Sequence, residues 1–398
     1  MNDVLKILGR SNGLFVHEES RHGDLIRSTI QGRRVLVYWG AGSIGSQVVK
    51  RCFTCAPAAL HVIDICENNL VELVRDVRST LGYIEGDTRF LPIAMNGVEA
   101  RAFVASEAPY DLVFNLAAMK HVRSEKDPFS LMRMIATNIL DTRDTLALAE
   151  AARAKKYFAV STDKAKNPAN LMGATKRIME DFLFGRDGTT PVSTARFANV
   201  AFSDGSLLHG FKQRLANGQP ISAPKDIKRY FLTKEESGFL CMIAAALGND
   251  REIYFPRLDP EAHLIDFAEI ARRFLISSGF EPVEMESEED ARSLAPTLIP
   301  TGRWPCYFFN SDTSGEKPFE EFYGPSDDVD WQRHRALGVI RAGVLSSSDI
   351  DRAQRFAKTI EQFRDAGTWS KSEIVAAVIE ACPELRHVET GKFLDERM

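Results

Sequence analysis

Residues 33–161 alternate short β-branched segments with longer amphipathic segments. This alternation is typical of parallel strands, because each parallel pair needs a connection long enough to hold a helix. The fold class expected is therefore α/β, with a doubly wound parallel sheet. The predicted strands are 33–38, 60–64, 88–93, 111–116, 156–161 and 192–197, and predicted helices begin at Ser43, at Glu67, at about Pro128 (to about 152) and near Asn170.

The pattern divides the chain into four parts. Residues 1–29 are interpreted as an N-terminal extension, 30–202 as the sheet domain, and 203–330 as mainly a smaller substrate lobe, with one strand near 253–255 returning to the sheet. Turn-rich segments such as SDGS and NGQPISAPKD are typical of such a lobe. Residues 331–398 are predicted to form a helical extension, in which SKSE at 370–373 has the form of a helix cap.

Composition excludes several classes of partner. Fifty Lys and Arg against 55 Asp and Glu give a net charge of −5 spread along the chain, so nucleic-acid binding is not expected. The longest apolar stretch, 238–247, is too short to cross a bilayer, and MNDVLKILGR lacks the features of a secretory signal, so a cytoplasmic location is expected. Two long, largely apolar helices on one side of the sheet predict a homodimer or larger homo-oligomer.

No metal site is predicted from the cysteines and histidines. Six cysteines do not make a disulfide scaffold, and Cys52 and Cys55 form a CxxC with no second pair. We interpret these two as one face of a buried helix. His121 and His209 are not spaced as a ligand pair with a carboxylate partner.

The first strand leads into the loop WGAGSIGS, in which Gly40, Gly42 and Gly45 form a GxGxxG at the start of a helix. An acidic residue, Asp64, ends the second strand about twenty positions later, as in Rossmann-type dinucleotide sites. Asp64 is expected to accept hydrogen bonds from ribose hydroxyls and to repel a 2′-phosphate, so NAD is favoured over NADP. Free N–H groups and the helix dipole favour phosphate contacts at Gly42, Ser43, Ile44 and Gly45.

A second motif, STDKAKNPANLMGATKRIME at 161–180, spans a strand end and the start of a long helix, where ligands bind in open α/β sheets. Further stretches are NLAAMKHVRSEKDP (115–128), RFANVAFSDGS (196–206), KRYFLT (228–233) and SGEKPFEE (314–321). With WGAGSIGS, these resemble the extended short-chain dehydrogenase/reductase family over about residues 30–325. The resemblance is strongest to the nucleotide-sugar 4,6-dehydratases of bacterial polysaccharide biosynthesis.

The resemblance implies a lyase reaction in three steps: C4 oxidation by bound NAD or NADP, loss of water across C5 and C6, and return of hydride to C6. Its usual substrate is UDP-N-acetylglucosamine, which yields UDP-2-acetamido-2,6-dideoxy-hexos-4-ulose. A 4-ketone acidifies the C5 proton, so Lys164 is expected to act as the base and Asp163 to protonate the departing hydroxyl.

Met172 departs from the family pattern, which places an active-site Tyr four residues before Lys176. A thioether cannot accept a proton from the C4 hydroxyl. Either an ordered water relayed through Thr162 or Asp163 takes that proton, or oxidation does not occur. A similar branch that carries Met is active as C5-retaining dehydratases, and Lys176 is still expected to hold the nicotinamide ribose.

Trp39 is a second departure, because it replaces the first glycine of the family's TGxxGxxG loop and a tryptophan enters a positive-φ turn only with strain. The loop is therefore expected to be reshaped or to tolerate the change there. The remaining expected site residues are Ala117, Ala118 and Asn138 near the cofactor, and Lys120, Asn199, Arg229 and Glu316 at the UDP-sugar.

Two alternatives remain open from the sequence. A UDP-sugar 4-epimerase needs oxidation and reduction at C4 but no elimination pair, so the Asp163–Lys164 pair argues against it. A noncatalytic nucleotide-binding protein would explain Met172 and Trp39.

Overall fold

The computed structural model describes residues 2–83, 89–311 and 320–386 of the chain. The predicted uridine-ribose contact Glu316 and the last part of the extension, 387–398, lie outside these ranges.

The described residues form sixteen strands. These are β1 Arg34–Tyr38, β2 Ala59–Asp64, β3 Arg89–Ala94, β4 Leu112–Asn115, β5 Lys156–Thr162, β6 Val192–Phe197, β7 Asn199–Val200, β8 Ile221–Pro224, β9 Lys228–Arg229, β10 Phe231–Leu232, β11 Glu252–Pro256, β12 Ile265–Asp266, β13 Glu281–Met285, β14 Arg303–Phe309, β15 Val329–Asp330 and β16 Leu337–Arg341.

The α-helices are α1 Asn2–Ile7, α2 Val16–Ile30, α3 Gly45–Thr54, α4 Glu67–Leu81, α5 Gly97–Glu107, α6 Pro128–Ile135, α7 Asp141–Ala151, α8 Leu171–Phe184, α9 Leu207–Ala216, α10 Lys234–Leu247, α11 Pro260–His263, α12 Phe267–Ser277, α13 Glu288–Leu298, α14 Ser347–Ala366 and α15 Lys371–Ala381. Short 3₁₀ turns occur at Val122–Glu125, Asp163–Ala165 and Ile299–Thr301, and a π turn at Ala136–Leu140 joins α6 to α7.

The central sheet has the strand order β15-β16-β11-β6-β5-β4-β1-β2-β3. All neighbouring pairs from β3 to β11 are parallel, which confirms the predicted doubly wound sheet. Each of the six predicted strands agrees with an observed strand to within one residue at either end. The strand order reverses between β1 and β4, and in such sheets the crevice at that point binds the ligand.

The segment 331–398, predicted to be helical, also contributes a strand to the central sheet. Strand β16 pairs antiparallel with β11, and Leu337, Val339 and Ile340 on it are buried. A Cβ at Gly338 would lie 2.3 Å from the Phe255 ring, so only glycine fits at this crossing. Helices α14 and α15 agree with the helical part of the prediction. Ser370 and Glu373 of the SKSE segment cap α15.

Apolar side chains form two clusters, one around the central sheet and one in the smaller lobe around β8, β14 and α12. The N-terminal extension contacts both, because Ile26 and Ile30 of α2 join the first cluster and Ile7 of α1 joins the second. The intervening segment is held by Arg10, whose guanidinium makes two hydrogen bonds of 2.8 and 2.9 Å to Glu236.

Helices α6 and α8 are partly covered by the chain itself, which weakens the argument on which the predicted oligomer rests. Helix α14 packs against α8, and α15 packs against α8 and α6. The indole N–H of Trp369 donates to the Pro128 carbonyl at 3.1 Å, and Arg177 donates to Glu384 at 3.0 Å. Part of the apolar area assigned to a partner subunit is therefore buried within one chain, and the oligomeric state stays a prediction.

Within the described ranges no helix combines the length and the apolar character that crossing a membrane requires.

Candidate active site

The glycines of the loop after β1 have two kinds of surroundings, closely packed and open. A Cβ at Gly40 would lie 2.4 Å from Val62, and one at Gly45 would lie 2.5 Å from the Trp39 carbonyl oxygen. These two glycines therefore allow the loop and α3 to pack on the sheet. A Cβ at Gly42 would meet nothing within 4 Å, so this glycine faces open space at the helix start. This is the surface at which a pyrophosphate could approach the backbone.

Trp39 adopts the positive-φ conformation, which strains the backbone of a tryptophan. Its φ is 56°, and its N–H donates to the Ile63 carbonyl at 2.6 Å. The turn is therefore kept rather than reshaped, with a backbone strain of about 1–3 kcal/mol carried by the tryptophan.

Asp64 supports the loop from the end of β2. Its carboxylate is buried and accepts hydrogen bonds from the backbone N–H of Ala41 at 3.0 Å and of Cys66 at 2.9 Å. Each oxygen can accept a further bond, so the predicted ribose contact is compatible with this role.

A loop of the smaller lobe closes one side of the cofactor loop. The N–H of Asp204 donates to Ser43 Oγ at 2.8 Å, and Lys120 Nζ donates to Ser203 Oγ at 3.0 Å. Gly205, with φ 70°, packs so close to His121 that a Cβ would lie 2.7 Å from the imidazole. Ser43 and Lys120, predicted to contact different ligands, are thus joined through this one loop.

Ala117 and Ala118 follow β4 at the same edge of the sheet, as predicted. The segment after them is fixed by Asn138 of the π turn, whose amide accepts from the Met119 N–H and donates to the Met119 carbonyl, both at 2.9 Å. Asn138 also donates to Thr175 at 2.9 Å and is fully buried. It therefore positions this segment from behind, and its place near the cofactor stays a prediction.

The segment after β5 brings the predicted acid and base together. Asp163 is buried, whereas the Lys164 side chain is 33% exposed, and Lys164 Nζ lies 3.4 Å from Asp163 Oδ1. Thr162 donates to the same carboxylate oxygen at 2.9 Å. A Cβ at Gly173 would lie 2.5 Å from the Lys164 carbonyl, so the start of α8 packs directly beneath the pair.

Lys176 and Met172 lie in the first turns of α8, and both are buried. Burial lowers the pKa of Lys176 to about 7, and its ammonium donates to the Val160 carbonyl at 3.1 Å. The backbone N–H of Met172 donates to Glu125 at 2.9 Å. The thioether thus occupies the predicted position without offering a proton acceptor.

Glu320 is a site residue that sequence reasoning missed. Asn199 Nδ2 donates to its Oε1 at 2.5 Å, the Tyr230 N–H donates to its Oε2 at 3.2 Å, and Arg229 Nε lies 3.7 Å from Oε1. The two residues predicted to bind a diphosphate therefore converge on a buried carboxyl group. Burial raises the pKa of Glu320 to about 7, the Asp163 charge acts in the same direction, and Arg229 opposes it.

The raised pKa of Glu320 predicts a specific pH dependence of stability. A carboxyl whose folded pKa is raised from 4.5 to about 7 stabilises the fold below the lower value, and this contribution is lost as pH rises through 7. The free energy of unfolding, measured with urea, should fall from pH 5 to pH 8 by on the order of 2–3 kcal/mol more in the wild type than in Glu320→Gln. The exposed Glu286→Gln control should follow the wild type; parallel pH profiles for the wild type and Glu320→Gln would contradict the assignment.

A buried ion pair anchors the segment that carries Glu320. Arg196 of β6 makes hydrogen bonds of 3.0 and 2.7 Å to the two oxygens of Glu180, and Ser161 donates to Glu180 at 2.6 Å. Arg196 also donates to the Phe322 carbonyl at 2.6 Å. The pair thus links β6 and α8 to the chain two residues beyond Glu320.

A cavity of about 820 Å³ opens beside Glu320. Aromatic side chains line much of it: Tyr230, Phe255, Phe322, Tyr323 and Trp331. Its size and lining are those of a small-molecule site. The carboxyl ends of β1, β4, β5 and β6 therefore present a glycine loop, a small-residue wall, an acid–base pair and a polar cluster at one edge of the sheet.

Comparison with known families assigns residues 35–291 to the family described as polysaccharide biosynthesis protein. The chain belongs to this family. Among curated members and relatives, an uncharacterized membrane protein of Methanocaldococcus jannaschii is 30% identical over 66% of this chain and 77% of its own length. The capsular polysaccharide biosynthesis protein CapD of Staphylococcus aureus is 30% identical over 61% of this chain but 41% of its own length, so this family member spans less than half of CapD.

Relatives with named activities include a dehydratase and an epimerase. The inverting UDP-N-acetylglucosamine 4,6-dehydratase of Campylobacter jejuni is 30% identical over 57% of this chain and 67% of its own length. A UDP-glucose 4-epimerase of Rickettsia rickettsii is 24% identical over 56% of this chain and 65% of its own length.

Solved structures share the fold at low identity. Pen from Bacillus thuringiensis superposes with a TM-score of 0.62 and 21% identity over 79% of this chain and 91% of its own. DesIV, a dTDP-glucose 4,6-dehydratase from Streptomyces venezuelae solved with NAD, superposes with a TM-score of 0.52 and 17% identity over 83% of this chain and 97% of its own.

Proposed function

We propose that this family member is a nucleotide-sugar 4,6-dehydratase that acts on UDP-N-acetylglucosamine with NAD as its cofactor. The observation that carries the proposal is the Asp163–Lys164 pair, a buried carboxyl group and a partly exposed amine 3.4 Å apart. The pair lies where β5 ends, one strand from the Ala117 segment and two from the glycine loop. An elimination requires an acid and a base held together in this way.

The loop after β1 fits a dinucleotide. Gly42 faces open space where a pyrophosphate would lie, and Asp64 is fixed at the end of β2 with capacity for ribose hydroxyls. Gly42, Ser43, Ile44 and Gly45 would hold the phosphates, and Lys176 the nicotinamide ribose. The chemistry that NAD supplies when bound is removal of hydride from C4 and its return at C6.

The chain's own residues handle the protons. Lys164 takes the C5 proton, which is acidic next to a C4 ketone, and Asp163 gives a proton to the C6 hydroxyl, which leaves as water. When C6 is reduced, the protonated Lys164 returns a proton to C5 on the face from which it was taken. In place of a tyrosine, the C4 hydroxyl proton passes by way of water to Thr162 and Asp163, whose side chains are already hydrogen-bonded at 2.9 Å. With Met172 in the tyrosine position, we propose a C5-retaining product, unlike that of the inverting Campylobacter enzyme.

The diphosphate of the substrate is proposed to bind near Asn199 and Arg229, with Lys120 at its rim. Both Asn199 and Arg229 now contact Glu320, so an ionised Glu320 would compete with a phosphate for them. Because burial raises the pKa of Glu320 to about 7, its protonation near neutral pH removes the negative charge that would compete with the phosphate.

A UDP-sugar 4-epimerase is the second candidate, favoured by the Rickettsia relative. Epimerisation uses the same C4 chemistry but leaves the C5 proton and the C6 hydroxyl in place. An epimerase would therefore have no use for the adjacent acid and base, Asp163 and Lys164.

Incubation of the purified protein with UDP-N-acetylglucosamine in D₂O, followed by NMR, tests the proposal. We expect a new C6 methyl group, deuterium at C5 and the starting configuration at C5. A C4 epimer without a methyl group would show an epimerase instead. Bound nucleotide sugar with no conversion would show a noncatalytic protein.

A further inference from the structure

Three potential metal ligands meet on the side of the molecule that joins its two terminal extensions. Glu18 and His22 lie one turn apart on α2, and His334 lies in the loop between β15 and β16. His22 Nε2 and His334 Nδ1 are each 3.4 Å from Glu18 Oε2. One ligand atom from each of the three residues lies within 4.8 Å of the other two.

Four polar atoms of this cluster are buried and lack a hydrogen-bond partner. The Glu18 and His334 side chains are 0% and 1% exposed, and that of His22 is 14% exposed. Glu18 Oε2, His22 Nε2 and both ring nitrogens of His334 have no hydrogen-bond partner of acceptable geometry. A buried polar group without a partner costs about 1–3 kcal/mol, so four such atoms together call for a ligand.

The surrounding backbone holds the carboxylate for such a ligand. Glu18 Oε1 accepts hydrogen bonds from the N–H groups of Arg335 at 2.6 Å and Ala336 at 3.0 Å. These bonds fix one oxygen and leave Oε2 directed at the two imidazoles. Arg333 of the same loop pairs instead with Glu252 at 2.7 Å, and His17 Nδ1 lies 3.6 Å from the other oxygen, Glu18 Oε1.

We propose that Glu18, His22 and His334 bind one Zn²⁺ ion. Tetrahedral zinc with bonds of about 2.0–2.1 Å places neighbouring ligand atoms about 3.3 Å apart, which matches both 3.4 Å separations to Glu18. Two histidines and a carboxylate are among the donor sets zinc uses, with water in the fourth position. The partly exposed edge of His22 gives the ion and this water a path to solvent.

The ion would connect α2 to the loop that leads into β16. Neither element carries the Asp163–Lys164 pair, so the site is structural and independent of the proposed dehydratase activity. Zinc binding would stabilise the fold by mass action, because the unfolded chain holds no such arrangement.

The full chain without a histidine tag provides the test. After exposure to ZnCl₂ and gel filtration, elemental analysis should give about one zinc per chain. The thermal midpoint should rise with zinc and fall with EDTA, and Co²⁺ should give the visible absorption of a tetrahedral site. Zinc near zero with a thermal midpoint indifferent to EDTA would overturn the proposal.

Substitutions locate the ion. His22→Ala and His334→Ala should each reduce the bound zinc from about one to near zero and remove the EDTA effect. His209→Ala, away from the cluster, should keep both. Full zinc occupancy in His22→Ala, the more exposed and better tolerated change, would contradict the assignment even if His334→Ala fails to fold.

Discussion

Replacement of Lys164 by alanine is expected to lower the rate of dehydration by about 10²–10⁴-fold, the usual contribution of a positioned base. Its amine is one-third exposed and lies 3.4 Å from Asp163, so it can reach a substrate carbon without being part of the core. Formation of the 4-keto product, followed by NMR or by its absorbance, measures the loss. Binding of NAD and of UDP should change little, because neither depends on this amine.

A lysine at the other end of the same strand provides the control. Lys155 is 70% exposed and pairs with Asp111 just before β5 begins, so Lys155→Ala removes an equal charge far from the edge that carries the site. Its dehydration rate should match that of the wild type. A Lys164→Ala enzyme with an unchanged rate would remove the base from the mechanism, whereas loss of nucleotide binding as well would point to a structural role.

The sequence was sufficient to predict the sheet and the edge at which the motifs that follow its strands lie. In a parallel sheet the carboxyl ends of neighbouring strands lie at one edge, so motifs after β1, β4, β5 and β6 had to meet. This physical rule needs only the strand positions, and hydrophobic runs such as RVLVY and KYFAVS mark them clearly.

Glu320 could not be predicted in this way, because the SGEKPFEE stretch contains three glutamates and its pattern does not show which of them reaches the end of β5. It reaches the site through Arg196, which binds the Phe322 carbonyl from β6. The same limit applies to the proposed zinc ligands, because His334 lies far along the chain from Glu18 and His22 of α2. Contacts made by loops follow from tertiary packing and leave little local signal.

Asn138 and Trp39 show a different limit. The helical position of Asn138 was clear from the sequence, but the π turn and the bonds of its amide to Met119 and Thr175 were not. For Trp39 the sequence left open whether the loop is reshaped or tolerates the change, and the structure shows a tryptophan at positive φ whose N–H is bonded to the Ile63 carbonyl.

Replacement of Arg196 by methionine is expected to lower the free energy of unfolding by about 3–5 kcal/mol. Glu180 is 0% exposed, and burial alone would raise its pKa, but the Arg196 charge and hydrogen bonds keep this pKa below its ordinary value. Without Arg196 the carboxylate stays buried with little compensation, and the Phe322 carbonyl loses its donor. Urea unfolding measures the change, and the exposed pair Arg75–Glu72 gives the control, since Arg75→Met should cost less than about 1 kcal/mol.

The double variant Glu180→Met with Arg196→Met separates the two costs of that change. If the large loss comes from an unpaired buried charge, removing both partners should restore part of the stability, because a buried ion pair and an apolar replacement differ little in free energy. If the loss comes instead from the freed Phe322 carbonyl, the double variant should be as unstable as Arg196→Met. Because that carbonyl lies two residues from Glu320, the second outcome should also weaken UDP binding, whereas the first should leave it close to that of the wild type.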